Sequence, residues 1–579
     1  TGDDTMSRIY AITAICYLHS TLTASLITCS AGARTLLCIL PFLFGTLTAR
    51  AQSAAEEPFA TVITPDFGAV TWERLVAAES EPHNWLSYSG THSSQRFSKL
   101  DVIDRYNVNQ LEMKWAYQIP VIDRAETVPL VVDGIMFITE APSNVVAVDA
   151  RTGREYWRFD YQIPDDIRIC CGRNNRGVAL LGETLFMSTL DAHLVAIDAR
   201  TGNLLWDVTV ADYKAGYSKT AAPLIVKDKV ITGIAGGEYG IRGFIDAYDA
   251  KTGELAWRTY AIPGEGEPGN DTWSGDSWKT GGAATWLTGS YDADLNLIYW
   301  GTGNPGPDWN GDVRLGDNLY SDSVLALNGD TGKIDWHFQF TPHDVHDYDS
   351  IQIPILADIA IDGRDRKAML WANRNGFFYT LDRSTGEFLK GKAYATQTWA
   401  QGLDAAGRPV RVAGMAPSYE GTLVAPPIVG ATNWYSPAFS QQTGLFYVTA
   451  FDGEQEFFKR DQDYEEGESF TGGGGRYLKP MDAFHSAIRA IDPATAEIVW
   501  EFPIMPRSSA GITTTAGGLL FSGSADGYFY ALDAATGDEL WHTSLGARVH
   551  AAPMTYAVDG KQFVTIASGN VLFTFGLPD

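Results

Sequence analysis

An all-β chain wound into an eight-bladed propeller is predicted by three observations. The phrase A-x-D-x-x-T-G-x-x-x-W returns at residues 147–157, 196–206, 247–257, 326–336 with Asn328 for the Asp, 490–500 with Ala496 for the Gly, and 531–541, with a degenerate copy at 380–390. Trp206 follows Trp157 by 49 residues, Trp257 follows Trp206 by 51, and Trp541 follows Trp500 by 41, each close to the length of one four-stranded blade. The 579 residues include 58 Gly, 27 Phe, 26 Tyr and 17 Trp, a mixture that favours half-buried pleated surface joined by tight turns. A chain this long exceeds one compact core unless the core is modular. A single D-x-x-T-G is an ordinary turn, whereas seven describe an architecture in which each tryptophan docks between neighbouring blades.

In chain order, residues 1–51 read as a leader. Arg34 precedes the apolar run 35–48, and Ala49-Arg50-Ala51 follows it, the order of a secretory signal cut before Gln52. The run is short for a bilayer span, so no stable membrane insertion is expected after cleavage; an uncleaved anchor is the other reading. Residues 52–579 then form the propeller domain of an exported, periplasmic protein. Long intervals between Trp257 and Trp336 and between Lys390 and Trp500 predict blades carrying insertions. Residues 461–475, with their acidic run and four consecutive glycines, read as a mobile, solvated loop. The last strand, V-T-I-A-S-G-N-V-L-F-T-F, is expected to join residues near Trp115, closing the ring without an open edge.

The net charge of -27 excludes nucleic acid as a partner, because phosphates demand a basic surface. Cations or basic proteins fit it better. Of five cysteines, three lie in the leader and two are adjacent, Cys170 and Cys171. Neighbouring Cα atoms are about 3.8 Å apart, so a bond between them makes a tight ring. After export the pair oxidises, binds metal, or stays as buried thiols.

Residues 341–350, T-P-H-D-V-H-D-Y-D-S, concentrate three carboxylates and two of the chain's ten histidines. In extended backbone Asp347 and Asp349 point to one face and can grip a cation between them. Alone, such a D-x-D is more often a solvated turn. In a propeller, however, loops from many blades converge on one end of the channel, so scattered unusual residues belong together.

The segments C-C-x-x-x-N-R-G from Cys170, G-G-E-Y-G-I-R-G, G-T-G-N-P-G-P-D-W-N, G-D-N-L-Y-S-D-S, P-H-D-V-H-D-Y-D and N-R-N-G-F-F-Y-T-L-D-R resemble, in this order, the pyrroloquinoline-quinone-dependent alcohol dehydrogenases, the group of methanol and ethanol dehydrogenases. The resemblance spans nearly all of residues 52–579. It implies a disulfide between Cys170 and Cys171 on one face of the quinone and Trp286 on the other. Glu126, Arg176, Thr220, Arg374 and Asn433 would hold the cofactor's rim, as a flat tricarboxylate requires. Glu238, Asn304 and Asp347 resemble the family's metal ligands, an all-oxygen set for a hard cation. Asp347 also takes the place of the catalytic base, removing the hydroxyl proton while hydride passes from the alcohol carbon to the quinone. Asp349 resembles the pattern of lanthanide-using members, which favours lanthanide(III) over Ca2+; a hydrogen-bond acceptor beside calcium is the other reading.

Two departures widen the expected pocket. Ala235 stands where methanol-type members offer a hydroxyl, and no tryptophan occurs near Ser509-Ala510-Gly511. Larger primary alcohols are favoured over methanol. No C-x-x-C-H occurs, so electrons are expected to leave to a separate soluble cytochrome c. A homodimer is compatible with the sequence. The alternatives are a sugar or polyol dehydrogenase using the same cofactor, and a non-enzymatic scaffold built on the same repeat.

Overall fold

The structure is a computed structural model and describes residues 64–121 and 124–579. The leader, residues 1–51, lies outside them. Among the described residues ten small sheets account for nearly all regular structure, and the fold is an all-β propeller. Most sheets are four consecutive antiparallel strands, as in Leu130–Val132, Ile135–Glu140, Asn144–Asp149 and Glu155–Phe159. In that sheet every residue of Ile135–Glu140 is buried, whereas Glu155–Phe159 is only partly covered. The core therefore lies between neighbouring sheets at their inner and middle strands, where the β-branched and aromatic residues concentrate.

The repeat acts twice. In its first copy the Asp149 carboxylate accepts the backbone N–H groups of Arg151 and Thr152, each at 2.9 Å, and Gly153 completes the turn at φ 73°. The glycine also lies under an indole: a Cβ at Gly153 would meet Trp115 at 2.6 Å, and one at Gly202 would meet Trp157 at 2.6 Å. Each repeat tryptophan thus covers the turn glycine of the next copy. The pattern recurs with Gly253 on Trp206, Gly332 on Trp257, Gly386 on Trp336 and Gly537 on Trp500. Indole N–H groups of Trp115 and Trp157 reach the turn carbonyls of Ala150 and Ala199.

The two irregular copies are complementary. The degenerate copy ends in Lys390 instead of tryptophan, and the following copy carries Ala496 instead of glycine. With no indole to cover it, position 496 has room for a methyl group. Its φ of 60° still carries the cost of a left-handed non-glycine residue.

The strand Glu112–Gln118 pairs with Val571–Gly576, Trp115 standing opposite Thr574, so the two ends of the fold share one sheet as expected. The long interval before Trp500 holds the hairpin Ala400–Leu403/Pro409–Arg411 and a three-stranded sheet, Thr422–Val424, Gln455–Lys459 and Gly473–Arg476. Residues 461–466 are exposed, as the solvated reading expects, but the segment is tied down at its end: Gly473–Arg476 is a strand, Phe470 is buried, and the Phe470 N–H donates to Glu238 O at 2.7 Å. The acidic residues masked an aromatic anchor, Phe470 packing edge-on to Tyr464.

Candidate active site

A cavity of about 650 Å³ is walled by loops from many sheets. One wall is built by residues 341–350. These are not extended, as the D-x-D spacing suggested: Asp344 accepts the N–H groups of His346 at 3.1 Å and Tyr348 at 2.8 Å, and Asp347 has φ 61°. The turn, with a left-handed aspartate that carries strain, brings both carboxylates to the cavity. Arg374 bridges them, Nη2 to Asp347 Oδ2 at 3.1 Å and Nη1 to Asp349 Oδ2 at 2.6 Å.

Asp349 is held on every side. Its Oδ1 accepts the Asn304 N–H at 2.9 Å and its Oδ2 accepts the Trp286 indole N–H at 3.2 Å. Gly303 has to be glycine, since a Cβ there would lie 2.3 Å from Asp349 Oδ1. His346 donates from Nε2 to Met415 O at 2.8 Å, and His343 donates from Nδ1 to Gly316 O at 2.8 Å. Burial lowers these imidazoles to about 3 and about 4 respectively, so both are neutral. They face a separate cavity of about 360 Å³ and support the loop from behind.

The opposite wall pairs Glu126 with Arg176 at 2.7 Å, and Arg176 donates to Thr220 Oγ1 at 2.8 Å. The Arg176 guanidinium lies over Trp286 and Trp434, at 5.2 and 4.8 Å from the ring centres. Cys170 and Cys171 form the vicinal disulfide, and Asn174 donates to Cys171 O at 3.1 Å. Each sulfur and a Glu238 oxygen lie within 4.8 Å of one another. Asn433 is fixed by Val429 O and by the Trp434 N–H.

The cavity thus collects Asp347, Asp349, Glu238, Glu126, Cys170, Cys171, Arg176, Thr220, Trp286, Arg374 and Asn433. Asn304 is behind the wall; its Oδ1 would stand 3.7 Å from a Cβ on Gly237, beside Glu238. Ala235 and Ser509, the two departures read from the sequence, are both on the cavity wall. Sequence reasoning missed Trp434, Tyr435 and Arg507 in the lining, and the buried Asp308, four residues past Asn304. Trp434 had a visible signal in its adjacency to Asn433; Arg507 had none, since only the fold brings it to the cavity.

Electrostatics sets what the site can hold. Burial, and after it the neighbouring carboxylates, raises Glu238 and Asp308 above the usual range. Asp347 and Asp349 are raised by burial against the opposing pull of Arg374. Two of these carboxylates, Asp347 and Asp349, share the Arg374 guanidinium. Glu238, Asp347 and Asp349 on the cavity wall, with the Asn304 amide behind it, are oxygen donors of the kind that suits a hard multivalent cation. The disulfide, Trp286 and Trp434 offer hard, flat surfaces, and Arg176, Thr220 and Asn433 offer donors at the edge. These residues fit a planar, polycarboxylate cofactor resting on a cation.

Comparison with known proteins agrees with that chemistry. Residues 85–391 and 489–564 match the family model described as PQQ, glucose/ethanol/alcohol dehydrogenase, β-propeller domain. The quinoprotein alcohol dehydrogenase PedH of Pseudomonas putida is 42% identical over 529 residues, covering 86% of this chain and 88% of that protein. A europium-containing methanol dehydrogenase superposes with a TM-score of 0.84 at 32% identity, covering 87% of this chain and 100% of the other. The quinohemoprotein alcohol dehydrogenase ADHIIG of Pseudomonas putida superposes with a TM-score of 0.84 at 36% identity, covering 89% and 83%.

Proposed function

The chain belongs to the pyrroloquinoline-quinone-dependent alcohol dehydrogenases, and from that premise we propose that it oxidises a primary alcohol to an aldehyde in the cavity described above. The carrying observation is the Asp347–Arg374–Asp349 arrangement beside Glu238. When bound, the quinone would supply a carbonyl able to accept hydride, and the cation held by Glu238, Asn304, Asp347 and Asp349 would supply Lewis acidity.

The chain's residues do the rest. Asp347 receives the alcohol's hydroxyl proton at its carboxylate, and Arg374 keeps that carboxylate aimed and opposes the rise in its proton affinity that burial causes. Glu238, Asn304, Asp347 and Asp349 hold the cation. The disulfide and Trp286 hold the two faces of the cofactor and exclude water, while Glu126, Arg176, Thr220 and Asn433 engage its rim. Ala235 and Ser509 leave room for alcohols larger than methanol.

A lanthanide(III) ion is the favoured occupant, because Asp349 adds a charge that a trivalent ion balances; the europium in a structural neighbour is consistent with it. Electrons leave to a separate soluble cytochrome c, and residues 1–51 direct export to the periplasm. The four-stranded sheets, with the terminal pair sharing one, are read as eight blades with tryptophan docking. Purified protein reconstituted with the quinone and either calcium or lanthanum, then screened with alcohols, aldehydes and sugars against a dye acceptor, tests the reading. Turnover of primary alcohols with lanthanum supports it. Full activity with calcium and none with lanthanum overturns the metal assignment, and turnover confined to sugars or polyols overturns the substrate.

A further inference from the structure

We propose that Arg507 and Arg548, with His550 beside them, form an anion subsite at the solvent side of the cavity, and that the alcohols selected there carry a carboxylate. The proposal rests on the alcohol-oxidation reading above and names the substrate class of that same cavity.

Two segments bring these side chains to the cavity, and both are pinned to one strand end. Ser508 is buried, its Oγ donating to Gly523 O at 2.8 Å and accepting the Ala510 N–H at 3.0 Å. Its neighbours Arg507 and Ser509 both line the cavity. Val549 is buried in the same way: its N–H donates to Ser524 O at 3.2 Å, and its side chain lies over Gly523, where a Cβ would meet it at 2.7 Å. Val549 pairs with Ser568 as in a strand, and Arg548 and His550 on either side of it both line the cavity, the alternation that extended backbone imposes. Gly523 and Ser524 therefore fix both arginines on one side of the cavity. None of the residues proposed above for the cofactor or the cation belongs to these two segments.

The other guanidiniums described in the wall are matched, Arg176 by Glu126 and Arg374 by Asp347 and Asp349. Among the described residues no ion pair includes Arg507 or Arg548. Arg507 donates to the Tyr435 hydroxyl at 3.3 Å and lies 5.6 Å from the centre of the Phe451 ring, and neither neighbour brings a negative charge. Arg124 lines the same cavity. Burial, and after it the charges of Arg124, Arg548 and Arg507, lowers His550 to about 4, so its imidazole is neutral and adds a hydrogen-bonding edge. Asp482, exposed, is the one acid of the lining outside the cation site and the Glu126 pair. Positive charge gathered in this way, within a chain of net charge -27, makes a place for an anion, and the forked guanidinium matches a carboxylate. Ser509, which leaves room for a longer alcohol, stands two residues from Arg507. An alcohol with its hydroxyl at Asp347 can extend past Ser509 and present an acid group to the arginines.

The test uses the full chain reconstituted with the quinone and lanthanum or calcium. At fixed ionic strength, kcat/KM for ω-hydroxyhexanoate and ω-hydroxyoctanoate is compared with that for the matching primary amides. Wild type should favour the acids by about tenfold, and Arg507→Gln and Arg548→Gln should each lower that ratio several-fold. Arg507→Lys, which keeps the charge and loses the fork, should stand between wild type and Arg507→Gln. Quinone affinity, read by tryptophan quenching as the quinone is added to quinone-free protein, should be the same in wild type and the variants. A fall in quinone affinity with the acid-to-amide ratio unchanged assigns the arginines to the cofactor's own carboxylates and overturns the substrate assignment. A wild-type ratio near one overturns the subsite and leaves alcohol oxidation standing. Turnover of neither acids nor amides, with hexanol also untouched, overturns the alcohol-oxidation reading itself.

Discussion

The Trp286 indole N–H donates to Asp349 Oδ2 at 3.2 Å, so the surface proposed to carry the quinone and the carboxylate proposed to choose the metal are physically joined. Moving either moves the other. Trp286→Phe keeps a flat ring and removes the donor; it is expected to lower cation affinity by about tenfold. Isothermal titration of the metal-free protein checks this, and equal affinity of the two proteins would separate ring from ligand.

Asp347 is expected to carry the proton transfer. Asp347→Ala should lower kcat by about 10²- to 10⁴-fold, with circular dichroism unchanged because the neighbouring turn is tied by Asp344 to His346 and Tyr348. Steady-state kinetics with a dye acceptor measures it, and a variant retaining wild-type turnover removes Asp347 from the base role.

Lys390 and Ala496 compensate one another in the repeat. Ala496→Gly relieves a left-handed alanine and should raise stability by about 0.5–1 kcal/mol. Gly537→Ala should do the opposite, costing more than about 2 kcal/mol, because a Cβ there meets Trp500 at 2.6 Å. Urea denaturation of both proteins compares the signs directly, and matching signs would refute the pairing.

His92 makes stability fall on acidification. Burial beside Trp72 and Tyr291 lowers it to about 4 from an ordinary 6.5, so the unfolded chain binds the proton first. Its contribution is complete above pH 6.5 and is lost as pH falls toward 4, on the order of 3 kcal/mol across that window. His92→Gln should flatten the slope of melting temperature between pH 6.5 and 4; an unaltered slope would place the sensitivity elsewhere.

The net charge of -27 is expected to steer the basic redox partner proposed above. Turnover with a basic cytochrome c should fall several-fold between about 20 and 200 mM salt, while dye-coupled turnover stays level. Stopped-flow at both ionic strengths reads the difference, and a flat cytochrome rate rejects the steering.

Much of this protein was legible in its sequence because the information is local. The D-x-x-T-G-x-x-x-W repeat carries its own turn chemistry, aspartate bonding to the following N–H groups and glycine supplying the left-handed φ, so the sheets could be read in one dimension. Adjacent Cys170 and Cys171 by themselves left oxidation, metal binding and buried thiols open; the resemblance implied the disulfide that the structure contains. The proposed cation ligands were legible only through resemblance, since Glu238, Asn304 and Asp347 are far apart in the chain. Tertiary structure alone decided three matters. It showed that Asp347 and Asp349 converge through a left-handed turn, that Phe470 anchors an acidic segment onto the Glu238 loop, and that Arg507 reaches the cavity wall. Each depends on what stands next to a residue in space, and neither composition nor spacing carries that.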